Sequence, residues 1–153
     1  MDSLSSPLTD VFFYSYYLNP VVLTHYGGTA RNPRPARLYG WQLHLGDHST
    51  LVPATNTYAD GVIYALTPEE LATLYNRDDI SAFKPLQIKA YLLQEKRLTT
   101  AMCYIAAAGP SLLPPPNTHY VQQMITSMQQ QHLDPSTAER WLNVQADSAP
   151  SQV

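Results

Sequence analysis

The stretch "FFYSYYLNPVVL", from Phe12 to Leu23, decides how the chain begins to fold. It opens as a buried strand, with aromatic and apolar residues in succession. It then meets three tyrosines and an Asn-Pro step. Proline fixes φ and lacks an N–H, so the strand must end before Pro20. Asn19 is a favourable N-cap and Pro20 suits the first helical position. A short helix is therefore predicted over "VVLTHYGG", with Gly27 or Gly28 as its stop. Tyr14 and Tyr16 would share one face of the strand, because strand side chains alternate. Each tyrosine brings a large apolar ring and a hydroxyl that needs a partner. Such a cluster reads either as core with a wet edge or as the wall of a pocket.

The chain has 153 residues, which suits one domain with a substantial core. Charged residues make up 14% of it, where about a quarter is usual, so Gln, Asn, Ser, Thr and Tyr must supply much of the polar surface. The formal net charge is -3 and no basic run occurs. That argues against a nucleic-acid footprint and against a polybasic membrane patch. No apolar run approaches the roughly 18 residues of a spanning helix. The polar opening "MDSLSSPLTD" lacks the basic and apolar regions of a signal peptide. The single cysteine, Cys103, cannot form an internal disulfide and fits a reducing compartment, so a cytoplasmic location is expected. Its surroundings, "TTAMCYIAAA", read as a buried strand in which the thiol acts as a small hydrophobe.

Residues 1–10 and 146–153 read as flexible tails around a single domain, 11–145. Strands are predicted near 11–16, 37–45, 60–66, 85–94 and 98–107, from β-branched and aromatic runs such as "GVIYAL" and "LQIKAYLL". "LTPEELATLYN" offers Thr67 as N-cap, Pro68 at N1 and Glu70 at N3, a capping box. "NTHYVQQMITSMQQQ" places Tyr120, Val121, Met124, Ile125 and Met128 on one helical face. "LDPSTAERWL" starts a further helix, with Asp134 as N-cap. "GPSLLPPPN" is a stiff connector. Strands fill the first two thirds and helices the last, which predicts an α+β fold: a small mixed β-barrel or curved sheet with flanking helices.

The sequence contains no glycine-rich phosphate loop, no H-E-x-x-H pair and no G-x-S-x-G elbow. The five histidines are scattered. Neither a metal nor a cofactor is expected. Two acids remain in "NRDDIS": Asp78 and Asp79, just past the capped helix. Aspartate in a turn commonly bonds its own backbone, so these residues alone read first as turn chemistry, and two adjacent side chains that diverge do not make a cooperating carboxylate pair.

Taken in order, these pieces resemble the gamma-glutamylcyclotransferase-like family, in particular its plant avirulence-induced-gene branch. The family's first strand ends in Y-G-T-L or Y-G-S-N, matched here by Tyr14-Ser15-Tyr16-Tyr17, and a proline and an apolar pair follow at Pro20, Val22 and Leu23. "ARLYGWQLHL", "STLVPA" and "ADGVIYAL" stand where the family has its next three segments. Leu74-Tyr75-Asn76-Arg77-Asp78-Asp79 matches an L-D-x-F-E-G signature, and "PPPNTHY" brings Tyr120 to the family's substrate-side tyrosine. The resemblance covers roughly residues 11–142.

The resemblance implies a small mixed barrel and a cofactor-independent enzyme acting on a small-molecule substrate, and the departures from the family pattern add specialised metabolism as the setting of an alternative. Asp78 would be the general acid/base, and Tyr14, Ser15, Tyr16, Tyr17, Asp79 and Tyr120 would bind the substrate. In the family, a glutamate takes a proton from the substrate's α-ammonium, the amine attacks the γ-carbonyl, and 5-oxoproline is released. Several positions depart from the pattern. Ser15 replaces a glycine that allows close backbone approach. Tyr16 and Tyr17 replace smaller residues, Asp78 is one methylene shorter than glutamate, and Asp79 replaces a glycine. Phe83 and Lys84 stand for the tyrosine and basic residue that follow the signature. Three functions follow: a gamma-glutamyl-type cyclotransferase, a cyclase or isomerase acting on an aromatic or polyketide-like metabolite, or a non-catalytic binding module.

Overall fold

The structure, a computed structural model, describes residues 7–45, 49–75, 83–107, 109, 118–136 and 139; the side chains of Tyr16, Thr118 and Tyr120 lie outside that description. Five strands form a closed barrel in the order β1-β3-β2-β4-β5. They are β1 (Thr9–Phe13), β2 (Arg34–His44), β3 (Thr50–Leu66), β4 (Phe83–Leu92) and β5 (Arg97–Ala106). Neighbours run antiparallel except where β1 meets β5 in parallel, through Val11 and Met102. Among the described residues three full helices accompany the barrel: α1 (Pro20–His25), α2 (Pro68–Tyr75) and α3 (Thr118–Gln130). This is the expected α+β mixed barrel. No helix among the described residues is long and apolar enough to cross a membrane.

The first strand is displaced from its expected span. β1 starts at Thr9, inside the stretch read as a tail, because Asp10 is tied by a two-pronged ion pair to Arg34 at 2.7 and 3.0 Å. It ends at Phe13 rather than 16, so Tyr14 and Tyr16 do not share a strand face. The chain turns instead into one 3-10 turn, Tyr16–Leu18. Val11, Phe12 and Phe13 are buried in succession, as in a strand covered on both sides.

The end of β1 lies so close to β3 that glycine is required there. A Cβ on Gly61 would lie 2.2 Å from the Phe13 carbonyl oxygen and 2.9 Å from the Phe12 ring. Gly61→Ala is expected to cost about 1–3 kcal/mol by overpacking. Urea denaturation would read this as a lower midpoint; an unchanged midpoint would refute the tight contact.

β3 is much longer than the predicted 60–66. Its first half, from Thr50, pairs with β2 but not with β1, whose partners are Val62 to Leu66. The open edge tolerates Pro53, which cannot donate a ladder hydrogen bond. The register shifts between Tyr39 and Trp41, where Gly40 has φ 86° and Asn56 has φ 60°. This irregular ribbon carries Leu43, Leu45 and Leu51 into the core, and Thr50 Oγ1 accepts a bond from Ala106 N on β5 at 2.9 Å.

The helix starts behave as the residues require. Asn19 accepts from Val21 N at 2.9 Å, and Gly27, at φ 107°, ends α1. Thr67 and Glu70 close the capping box reciprocally at 2.9 and 3.2 Å. Desolvation alone would raise the Glu70 pKa, but bonds from Arg31, Thr29 and the Thr67 N–H outweigh it and hold the carboxyl at about 2. α3 buries Val121, Met124 and Met128, as its spacing predicts, and Ser127 Oγ accepts from Asn19 Nδ2 at 3.0 Å. Asp134 caps the next helix start by accepting from Ser136 N at 2.9 Å. The tail expected at 146–153 and the connector over 110–117 lie outside the described residues.

A polar network ties that start to the barrel. Asp60 on β3 is buried and accepts from Arg37 Nε at 2.7 Å, Arg37 Nη2 at 3.1 Å and Asp134 N at 3.0 Å. Tyr58 donates its hydroxyl to Asp134 Oδ2 at 2.5 Å, with the Arg37 guanidinium 3.9 Å above its ring.

Candidate functional site

The 3-10 turn after β1 is pinned from two sides. Leu18 N donates to Ser15 O at 3.0 Å, and the Tyr64 hydroxyl donates to Leu18 O at 2.8 Å. Tyr64 is fully buried, and burial pushes its phenol up to about 12. Tyr14 is buried too, and its hydroxyl donates to Tyr104 O on β5 at 2.7 Å. The turn therefore has fixed attachments to β3 and β5, which suits a rigid wall for a site.

Tyr17 is half-buried and joins the turn to α2. Its ring meets Phe13 edge-on at 5.8 Å, Tyr26 at 5.9 Å and Tyr75 edge-on at 6.1 Å. Its hydroxyl lies 3.5 Å from Leu74 O, the outer limit of a hydrogen bond. Tyr75, the last residue of α2, stacks on Tyr104 with centroids 4.0 Å apart and planes 12° apart. Desolvation, then the neighbouring Tyr14, Cys103, Tyr17 and Tyr104, holds the Tyr75 phenol well above its usual 10. Burial also raises Tyr104, and pushes the Cys103 thiol up to about 12. Cys103 is fully buried on β5, a packed and unreactive thiol. The result is an aromatic cluster in which burial favours the uncharged forms of Tyr75, Tyr104 and Cys103.

Of the residues that the sequence singles out, Tyr14, Ser15 and Tyr17 belong to this cluster or its turn. Tyr16 contributes its backbone to the 3-10 turn, and Tyr120 lies in the first turn of α3. Asp78 and Asp79 lie outside the described residues, as do the side chains of Tyr16 and Tyr120. The chain leading to Asp78 is described as far as Tyr75, and that end is packed against Tyr17. Sequence reasoning missed Tyr75 and Tyr104 as members. Tyr75 stands in the Leu74–Asp79 signature and could have been flagged there. Strand alternation puts Tyr104 opposite Cys103 in facing, but nothing in it names α2 as its neighbour.

The architecture is that of the gamma-glutamylcyclotransferase-like fold. Superposed on a solved gamma-glutamyl cyclotransferase, the chain gives a TM-score of 0.69 at 16% identity, with 88% of this chain and 86% of that chain covered. Bacillus subtilis YkqA gives 0.69 at 18% identity, covering 97% of this chain but 57% of the longer protein. An AIG2-like protein from Mus musculus gives 0.57 at 17% identity, covering 71% and 86%. No protein-family model matches the sequence, and no curated protein matches it significantly. At these identities the likeness establishes the fold.

Proposed function

We propose that the protein is a cyclotransferase-type enzyme that closes a gamma-glutamyl compound on itself and releases 5-oxoproline. The observation that supports this reading is the packing of Tyr17 against Tyr75 at 6.1 Å, which sets the C-terminal end of α2, three residues before Asp78 in sequence, beside the turn after β1. Two segments distant in sequence thus meet, on a fold shared with a solved gamma-glutamyl cyclotransferase.

In this reading Asp78 takes a proton from the substrate's α-ammonium. The freed amine attacks the γ-carbonyl carbon, Asp78 gives its proton to the leaving amine as the bond to that amine breaks, and the ring nitrogen sheds its second proton to the regenerated carboxylate or to water, leaving the neutral lactam. Intramolecular attack supplies much of the rate, and the carboxylate adds roughly 10²–10⁴-fold. Ser15, Tyr16, Tyr17, Asp79 and Tyr120 would line the substrate, with Tyr14 holding the wall from behind. A cytoplasmic location belongs to the same proposal and rests on the single buried thiol. The direct test is incubation with gamma-glutamyl amino acids and amines, with 5-oxoproline measured by mass spectrometry. Absence of product from the whole panel would remove this reading.

The tyrosine-rich cluster favours a second reading, an apolar aromatic substrate on the same scaffold. Ser15→Gly with Tyr16→Thr separates the two. Reopening the backbone should raise 5-oxoproline formation and lower KM if a glutamyl site has been narrowed. It should weaken an aromatic ligand, by roughly 1 kcal/mol for one lost ring contact, if the site has moved to aromatic chemistry.

A further inference from the structure

The segment "ADGVIYAL" on β3 has no part in the reaction above, yet two of its residues meet the chain on either side of the turn. Gly61 lets β1 end tightly against β3, since a Cβ there would lie 2.2 Å from the Phe13 carbonyl oxygen. Tyr64 holds the far end, donating its hydroxyl to Leu18 O at 2.8 Å. Between these two points lie Ser15, Tyr16 and Tyr17, which line the substrate in the reading above. β3 is a fixed base for both contacts, because its register with β1 runs unbroken from Thr9↔Leu66 to Phe13↔Val62. Tyr64 and Leu18 are each 0% exposed, so water has no access to replace the hydroxyl. Among the described residues no backbone N–H reaches Leu18 O, and Tyr64 supplies its donor. One 3-10 turn, closed by Leu18 N on Ser15 O, has little cohesion of its own. Its place is therefore set from outside.

We propose that Tyr64 is a positioning residue of the site: its hydroxyl sets where the 3-10 turn stands, and so where Ser15, Tyr16 and Tyr17 meet the substrate. The proposal rests on the glutamyl reading above for what that substrate is. Tyr64 acts through Leu18, because its hydroxyl is engaged there. The neighbouring side chains cannot take over the bond. The Tyr14 hydroxyl is held by Tyr104 O. Asn19 caps α1 at Val21 N, 2.9 Å away, and donates to Ser127 Oγ on α3 at 3.0 Å. Without the Tyr64 hydroxyl a buried carbonyl loses its donor, and the turn must shift to recover one. A displacement of about 1 Å in a positioning element is enough to cost roughly 10²-fold in rate.

Tyr64→Phe removes the hydroxyl and keeps the buried ring. On the best gamma-glutamyl substrate it should raise KM roughly tenfold or more. A residue that only supports the fold would instead lower kcat through the folded fraction and leave KM unchanged. Amide hydrogen exchange gives a second measurement that needs no turnover. In the wild type the Leu18 amide should be as protected as the amides of β3, although a lone 3-10 turn frays. Free exchange at Leu18 overturns the proposal even where the variant fails to fold. In Tyr64→Phe, exchange at Leu18 should quicken roughly tenfold relative to the amides of β4 and β5. If the wild type makes no 5-oxoproline yet Leu18 responds in this way, the glutamyl reading falls and the hold on the turn stands. If the wild type turns over and Tyr64→Phe keeps its KM, or Leu18 exchange does not respond, the positioning role is overturned and the glutamyl reading stands. An inactive wild type with an indifferent Leu18 amide overturns both.

Discussion

Asp60→Ala is expected to destabilise the fold by about 3–5 kcal/mol, the usual cost of removing one partner from a buried ion pair. The Asp60 side chain is 1% exposed and holds three donors: Arg37 Nε, Arg37 Nη2 and the Asp134 N–H. Alanine would leave a guanidinium and a backbone N–H without their acceptor. Arg37 is 24% exposed and keeps its place over the Tyr58 ring, so part of its charge can be resolvated, which favours the lower end of the range. The same network gives a pH signature. The bond from Tyr58 holds the Asp134 carboxyl below its usual range against the opposing effect of burial. Its contribution to stability is full above the unfolded carboxyl pKa of about 4 and is lost as pH falls through the lower folded value. The Tyr58 phenol is raised by its bond to Asp134, so its contribution is full below the unfolded phenol pKa of about 10 and is lost as pH rises through the higher folded value. Urea denaturation across pH would show both edges. A loss under about 1 kcal/mol in Asp60→Ala would place the pair among the weak surface bridges.

The second large effect concerns Asp78→Asn. The change keeps size and hydrogen bonding but removes the group that can carry a proton. If Asp78 is the acid/base, turnover should fall by about 10²–10⁴-fold. Stability should scarcely change, since a residue in that role is not holding the barrel together. Kinetics with the best gamma-glutamyl substrate, paired with a melting curve, would read both. Unchanged turnover would assign Asp78 to turn chemistry, and a large fall in melting temperature would make it structural. Asp78→Glu restores the family's longer side chain and should keep measurable activity.

Local signals in this sequence translated well into structure. The Thr67–Glu70 box, the Asn19-Pro20 start and the Asp134 cap each depend on residues a few positions apart, and each formed. The apolar runs around Phe12 and Ile63 announced strands buried on both sides. The first half of β3 was hidden because Pro53 and the polar "ATNT" contradict strand propensity, and only pairing with β2 overrides them. The aromatic cluster was half legible. Tyr14 and Tyr17 are neighbours in the chain, but their meeting with Tyr75 and Tyr104 depends on the barrel's strand order, which no short window carries. The Arg37–Asp60 pair was hidden for the same reason.

The parallel contact between Val11 and Met102 has a consequence for how the molecule is made. β1 leaves the ribosome before every other strand, yet its two partners are the second half of β3 and β5. At roughly 5–20 residues per second, it waits several seconds as an apolar, unpaired segment. β2 and β3 can zip as a hairpin in the meantime, and so can β4 and β5, because their partners follow closely in the chain. Closure by β1 needs the longest loop to be brought together, so it should be the slow step of folding. During that wait, Val11, Phe12 and Phe13 form the segment most open to pairing with another chain. Crowded synthesis is then a condition under which this segment is exposed to pairing between chains.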